Sequence, residues 1–128
     1  MIDARVTLPR QRWTVPLARH LTRAVLEGAH VASDDRDDIE LAVSEACGNA
    51  VRHARSTDRY HLRLHLGGGA CVVEVTDEGA GFGPSAPRAS TGVASSGRGL
   101  AIIRRLADEL VVRRRRPGTL VRFRKRLA

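Results

Sequence analysis

The stretch LAVSEACGNAVRHA, Leu41–Ala54, decides the reading of this chain. Ile39, Ala42, Val43, Ala46 and Ala50 recur at helical spacing and mark one apolar face. Glu45 and Asn49 sit four residues apart on the margin of that face. Residues at i and i+4 share a helix face, about 6 Å apart along the axis. A carboxylate can take a proton, and a carboxamide oxygen can bind a hard cation such as Mg²⁺. Taken alone, the stretch also fits an ordinary amphipathic helix with a solvated Glu and Asn.

Two glycine clusters lie downstream. Asp77-Glu78-Gly79-Ala80-Gly81 follows the apolar run Cys71–Thr76, and Gly97-Arg98-Gly99-Leu100 opens a further helical pattern. The order is E-x-x-x-N on a helix, D-x-G-x-G after a strand, and G-x-G-L at a helix start. No G-x-x-x-x-G-K-[ST] loop is present, and Lys125 is the only lysine. Protein-kinase H-R-D and D-F-G signatures are absent as well. The remaining device for holding a phosphate is a glycine-rich turn running into a helix N-terminus, where free N–H groups and the positive dipole end meet oxygens. Gly97 and Gly99 fit that role. Asp77 is an acceptor placed at a strand end.

This ordered set resembles the N, G1 and G2 boxes of the GHKL (Bergerat-fold) ATPase superfamily shared by histidine kinases, gyrase and MutL. It is most similar to the small anti-sigma-factor serine kinases of bacterial stress and sporulation switches. The likeness runs from about Val6 to Leu127 and is strongest at VSEACGNAVRHA. It implies an ATP- and Mg²⁺-dependent protein serine kinase in a partner switch. Such a kinase holds a sigma factor inactive or phosphorylates a serine of an anti-anti-sigma (STAS-type) antagonist.

The same resemblance assigns roles to residues. Glu45 matches the general base and Asn49 the Mg²⁺-binding asparagine. Asp77 matches the acceptor of the adenine amino group, with Gly79 and Gly81 letting the backbone approach the base. Gly97, Arg98, Gly99 and Leu100 match the second glycine box, and Thr119 a water-mediated contact to adenine. Arg52, Arg88 and Arg98 are candidates for phosphate contacts, and His53 reads as a supporting residue. Homodimerisation belongs to the same set of implications. Gly48 departs from the pattern, since many relatives carry a polar residue there; a mid-helix glycine costs roughly 1 kcal/mol relative to alanine.

The chain has 128 residues, the size of one domain, so residues 1–128 are expected to form a single unit. The hydrophobic fraction is 42% but aromatics only 3%, so the core must be built from Leu, Val, Ile and Ala. Formal net charge is +8, carried almost entirely by arginine, which draws acidic partners or polyanions. Arg113–Arg116 and the Arg122/Arg124/Arg126 series raise nucleic-acid binding, but the scarcity of aromatic stacking platforms argues against it. Cys47 and Cys71 fall in apolar runs and read as buried free thiols. No apolar run is long enough to span a membrane and no signal-peptide pattern stands at Met1, which favours the cytoplasm.

Coarse element reading gives an edge strand over Ala4–Leu8 and a helix from Leu17 to about Glu27, with Leu17, Leu21, Ala24 and Val25 inward and Gly28 as its stop. Arg19 and Arg23 lie on its outer face. Ser33–Asp38 caps a second helix that runs to about Ala54; an acidic metal site is the alternative for that cluster. Tyr60–Leu66 alternates strictly and turns back at Gly67-Gly68-Gly69 into Cys71–Thr76. His61 and His65 share one face of that strand, an arrangement that suits a wet surface or a zinc pair. The Gly/Ala/Ser/Pro-rich stretch at about 78–97 reads as a lid loop. Arg98–Glu109 reads as the third helix, and Leu110–Arg114 with Thr119–Arg126 as a final hairpin turning at Pro117-Gly118. The expected fold is an α+β two-layer sandwich, a mixed, mostly antiparallel sheet with three helices on one face. A catalytically silent ATP-binding docking module and a histidine-kinase core fragment are the rival readings.

Overall fold

The computed structural model describes residues 1–53, 58–77, 88–89, 97–115 and 118–128, with backbone alone at 88, 89, 97, 114 and 115. Strand β1 (Ile2–Pro9) leads into α1 (Thr14–Gly28) and α2 (Ser33–His53). A hairpin of β2 (Arg59–Gly67) and β3 (Ala70–Thr76) follows, then the two-residue β4 (Arg88–Ala89) and α3 (Gly97–Leu106). The hairpin of β5 (Glu109–Arg115) and β6 (Gly118–Arg126) completes the chain. The strands form one sheet in the order β1-β2-β3-β6-β5-β4. Every described pairing is antiparallel, so the mixed component expected from sequence is not found there. The expected lid at about 78–97 falls outside the described residues apart from β4 and Gly97, and so does Pro117.

Strict alternation in β2 places Tyr60, Leu62, Leu64 and Leu66 on the face covered by the helices. Val73 and Val75 of β3 and Val121 and Phe123 of β6 continue that face, in register with one another. Ile39, Ala42, Val43, Ala46 and Ala50 of α2 close over it, each at most 5% exposed. A fully buried Val, Leu, Ile or Phe side chain contributes about 1.5–3 kcal/mol, so this layer is the main source of stability. Gly68 and Gly69, both at positive φ, make the tight turn between β2 and β3.

Helix α1 is rotated from the expected position. Thr14, Ala18, Thr22 and Leu26 face inward, while Leu17, Leu21 and Ala24 are exposed and Val25 is half-buried. The cause is Thr14. Its hydroxyl lies 2.7 Å from the Gln11 carbonyl oxygen, 2.9 Å from that of Pro9 and 2.9 Å from the Tyr60 hydroxyl. Carbonyls only accept, so the threonine proton goes to one of them and Tyr60 donates to Thr14. That anchor fixes the helix rotation, and i+4 steps then carry Ala18, Thr22 and Leu26 inward. Thr22 satisfies its own buried hydroxyl on the Ala18 carbonyl at 2.8 Å. The helix stops through His30, not through Gly28: His30 is left-handed at φ 59, with Val31 N–H donating to Leu26 O and His30 N–H to Glu27 O.

The third helix also ends earlier than expected, at Leu106. Asp108 turns the chain there: its N–H donates to Arg124 O at 2.8 Å and its carboxylate accepts the Arg126 N–H at 2.5 Å. Glu109 is therefore the first residue of β5, paired with Arg124.

Candidate functional site

Helix α2 lies between α1 and α3, and its last three turns carry the polar residues of interest. Glu45 is half-buried and Asn49 is 9% exposed. The Asn49 carbonyl oxygen Oδ1 is buried and has no hydrogen-bond partner among the described residues. Such an orphan costs about 1–3 kcal/mol unless something fills it. A hard, neutral oxygen left open suits a Mg²⁺ ion, so the residues present fit the metal that the sequence implies.

Helix α3 brings its N-terminus to this edge. Leu100 and Ile103 are its buried anchors. A Cβ placed on Gly99 would stand 3.3 Å from Glu45 Oε1 and 3.8 Å from Arg52 Nη2. A side chain at 99 would therefore press on the Glu45 carboxylate, and the start of α3 stands against it. Gly48 makes a similar contact within α2, where a Cβ would stand 3.1 Å from Arg52 Nη1. Arg98 is exposed at the first turn of α3.

Asp77 stands at the end of β3, 7% exposed. Its Oδ1 accepts the Thr119 backbone N–H at 2.6 Å, and its own N–H donates to Thr119 O at 3.3 Å. The resemblance singled out Thr119 for a water-mediated contact to adenine. The structure adds a role that spacing alone cannot reveal: its backbone holds the Asp77 carboxylate in place. Glu45, Asn49, Gly99 and Leu100 are thus brought to one region of α2 and α3, and Asp77 and Thr119 to a second, at the adjoining ends of β3 and β6. Gly79 and Gly81 lie outside the described residues, as does the Arg88 side chain; Gly97 is described as the first residue of α3.

Other clusters noted in the sequence are occupied by the fold. Asp35 and Asp38 at the start of α2 face Lys125, at 4.0 and 3.3 Å, and Asp35 also accepts the Ala128 N–H. His61 shares a hydrogen bond with Thr7 Oγ1 at 2.9 Å. Among the described residues no three His, Cys, Asp or Glu side chains gather as a metal site. Cys47 and Cys71 are buried free thiols, each pushed up to about 12 by burial. No helix among the described residues is long and apolar enough to cross a membrane.

Comparison with known proteins identifies the family. The family model for a histidine kinase-like ATPase domain matches residues 8–125. The serine-protein kinase RsbW of Halalkalibacterium halodurans is 30% identical over 116 residues, covering 82% of this chain and 72% of the relative. RsbW of Bacillus subtilis is 30% identical over 118 residues, covering 82% and 74%. A crystal structure of the RsbU and RsbW domains of a Mycobacterium tuberculosis protein superposes with a TM-score of 0.78 at 24% identity. It covers 99% of this chain, which spans 33% of that longer one. The chain belongs to the histidine kinase-like ATPase domain family.

Proposed function

We propose that this chain binds ATP with Mg²⁺ along the polar edge of α2. It would transfer the terminal phosphoryl group to a serine of an anti-anti-sigma antagonist and otherwise hold a sigma factor inactive. The observation that carries this reading is the seating of Gly99 on Glu45, with the orphaned Asn49 oxygen one helical turn away. In this reading Glu45 serves as the proton acceptor and Asn49 as the metal ligand, beside the N-terminal turn of the ten-residue α3.

In this mechanism Asp77, held by Thr119, accepts from the adenine amino group. The N–H groups at the start of α3 meet phosphate oxygens that the helix dipole favours. Asn49 Oδ1 would be the protein's ligand to Mg²⁺, whose chemistry is to neutralise charge on the phosphates. Glu45 orients the acceptor serine and takes its proton as the serine oxygen bonds to phosphorus and the bridging bond to ADP breaks. The serine acceptor is supported by likeness to relatives named serine-protein kinase RsbW at about 30% identity, and the partners by the resemblance to anti-sigma-factor kinases.

Incubation with γ-labelled ATP and a co-encoded antagonist tests the reading. The wild-type chain should label the antagonist, and Glu45→Ala should bind ATP without labelling it. Binding without transfer by the wild type would replace catalysis with an ATP-dependent docking role. Failure to bind ATP would remove the proposal altogether.

A further inference from the structure

The face of the sheet turned away from the helices has two unlike halves. On β1, β2 and β3 its charges are matched. Asp3 pairs with Arg63 at 2.9 Å and with Arg5 at 3.4 Å, and Glu74 pairs with Arg63 at 2.8 Å. On β5 and β6 the match is lost. Val121, Phe123 and Lys125 of β6 turn to the helices, so alternation puts Arg122, Arg124 and Arg126 on the open face. The register sets Val111 of β5 opposite Arg122 and leaves Arg113 diagonal to it. Arg113, Arg122 and Arg126 are exposed, and among the described residues no acid pairs with their side chains. Two acids border the group. Glu109 reaches Arg124 only at 4.0 Å, and the Asp108 carboxylate is taken by the Arg126 backbone N–H.

Like charges about 6.8 Å apart along a strand, and diagonal across a strand pair, repel each other, so folding gains nothing from this grouping. The matched half of the same face shows how the fold handles charge when only solvent is present. Between the arginines the floor is apolar: Val72, opposite Arg124, and Val111, opposite Arg122, are half-buried. The strand aromatics Tyr60 and Phe123 point to the helices, so nucleic-acid bases would find nothing here to stack on. A second copy set face to face would bring arginine against arginine. An apolar floor under arginine forks matches a protein surface rich in carboxylates, which each fork can take two oxygens at a time. We infer that the open face of β5 and β6 docks an acidic segment of a protein partner, with Arg113 and Arg122 at its centre and Val72 and Val111 as its floor. This surface lies across the sheet from α2, and the inference does not depend on the proposed ATP site.

Anisotropy titration of a labelled oligoglutamate peptide with the full chain, at low and at physiological salt, tests it. The wild type should bind, more weakly as salt rises. Arg113→Ser combined with Arg122→Ser should weaken binding at least about tenfold. Arg104→Ser combined with Arg105→Ser removes the same charge from exposed positions at the end of α3 and should stay within about twofold of wild type. Amide-shift mapping on the wild type needs no variant, and its largest changes should fall at Val72, Val111, Arg113 and Arg122. Equal losses in the two double variants would reduce the effect to net charge and overturn the inference. So would shifts centred away from β5 and β6, or a wild type that does not bind. A labelled DNA duplex that binds more tightly than the peptide and moves the same amides would give the face to nucleic acid, and that too overturns it.

Discussion

In the first half of α2 four of the six charged side chains, Asp35, Arg36, Asp38 and Glu40, have found a partner; in the second half Glu45, Asn49 and Arg52 keep polar atoms open among the described residues. Glu40, buried, is held by Arg23 at 2.7 Å. Asp35 and Asp38 share Lys125, which also donates to the Leu106 carbonyl at the end of α3. Further along the helix Glu45 and Arg52 both approach Gly99 with no ion pair among the described residues, and Asn49 keeps a buried oxygen unmet there. One helix thus contains a half whose polarity holds the fold together and a half whose polarity is left for something else. Folding alone selects against unmet buried acceptors, so the second half is where a function has to be sought.

Substitutions that separate the two halves test this contrast, and the largest effect is expected at Glu45. Glu45→Gln keeps shape and removes the base, so phosphoryl transfer should fall by about 10²- to 10⁴-fold. ATP affinity and the unfolding midpoint should barely move. A parallel loss of stability would mean that Glu45 belongs with the structural half after all.

Asn49→Ala comes next. Binding of ATP in Mg²⁺ should weaken at least tenfold, or ~1.4 kcal/mol. Chelation of the metal should bring the wild type down to the level of the variant and leave the variant where it was. Stability without nucleotide should hold within about 1 kcal/mol, because the side chain removed brings an unmet oxygen with it. A variant that still responds to chelation would move the metal ligand elsewhere.

The buried side of the same segment gives a pH test. Cys47 sits between Glu45 and Asn49 in the chain, facing the core, and Cys71 lies on β3; burial pushes both thiols from 9.0 up to about 12. The fold favours the neutral thiol, so this contribution is complete below pH 9 and is lost as pH rises toward 12. Each cysteine should then cost about 1.4 kcal/mol of stability per pH unit above 9. Denaturation followed from pH 8 to pH 10.5 should show that slope, and Cys47→Ala with Cys71→Ala should flatten it. A flat wild-type profile would mean that water reaches this side of α2, and the Asn49 oxygen would then not be unmet.

Much of this contrast could be read without coordinates, and the division follows from what each signal encodes. The apolar face of α2 and the alternation of Tyr60–Leu66 are set by period, and period is local. The order of Glu45/Asn49, Asp77 and Gly97/Gly99 pointed to the family; that Gly99 stands against Glu45 is seen only in the fold. Rotation of α1 was not legible, because Leu17 and Leu21 look as apolar as Ala18 and Leu26; a threonine anchored on Tyr60, 46 residues away, decides it. The end of α3 depends on backbone and carboxylate bonds from Asp108 to β6, and the placement of Asp77 on the backbone of Thr119. Each of these is a long-range contact made by a residue whose type leaves the contact unspecified.

The smallest expected effect is the one that pins down the structural half. Lys125 is partly buried and ties α2, α3 and β6 together through Asp38, Asp35 and the Leu106 carbonyl. Lys125→Met keeps the length and apolar stem while removing the charge. Ion pairs of this partly exposed kind contribute little, so denaturant unfolding should register a loss of about 1 kcal/mol or less. The cluster lies two to three helical turns from the open end of α2, and distant sites act independently. ATP affinity should therefore stay within about twofold of wild type. An ATP loss larger than the stability loss explains would show that the paired end of α2 governs how the open end is presented. The two halves would then be one coupled device, not a scaffold with a site attached.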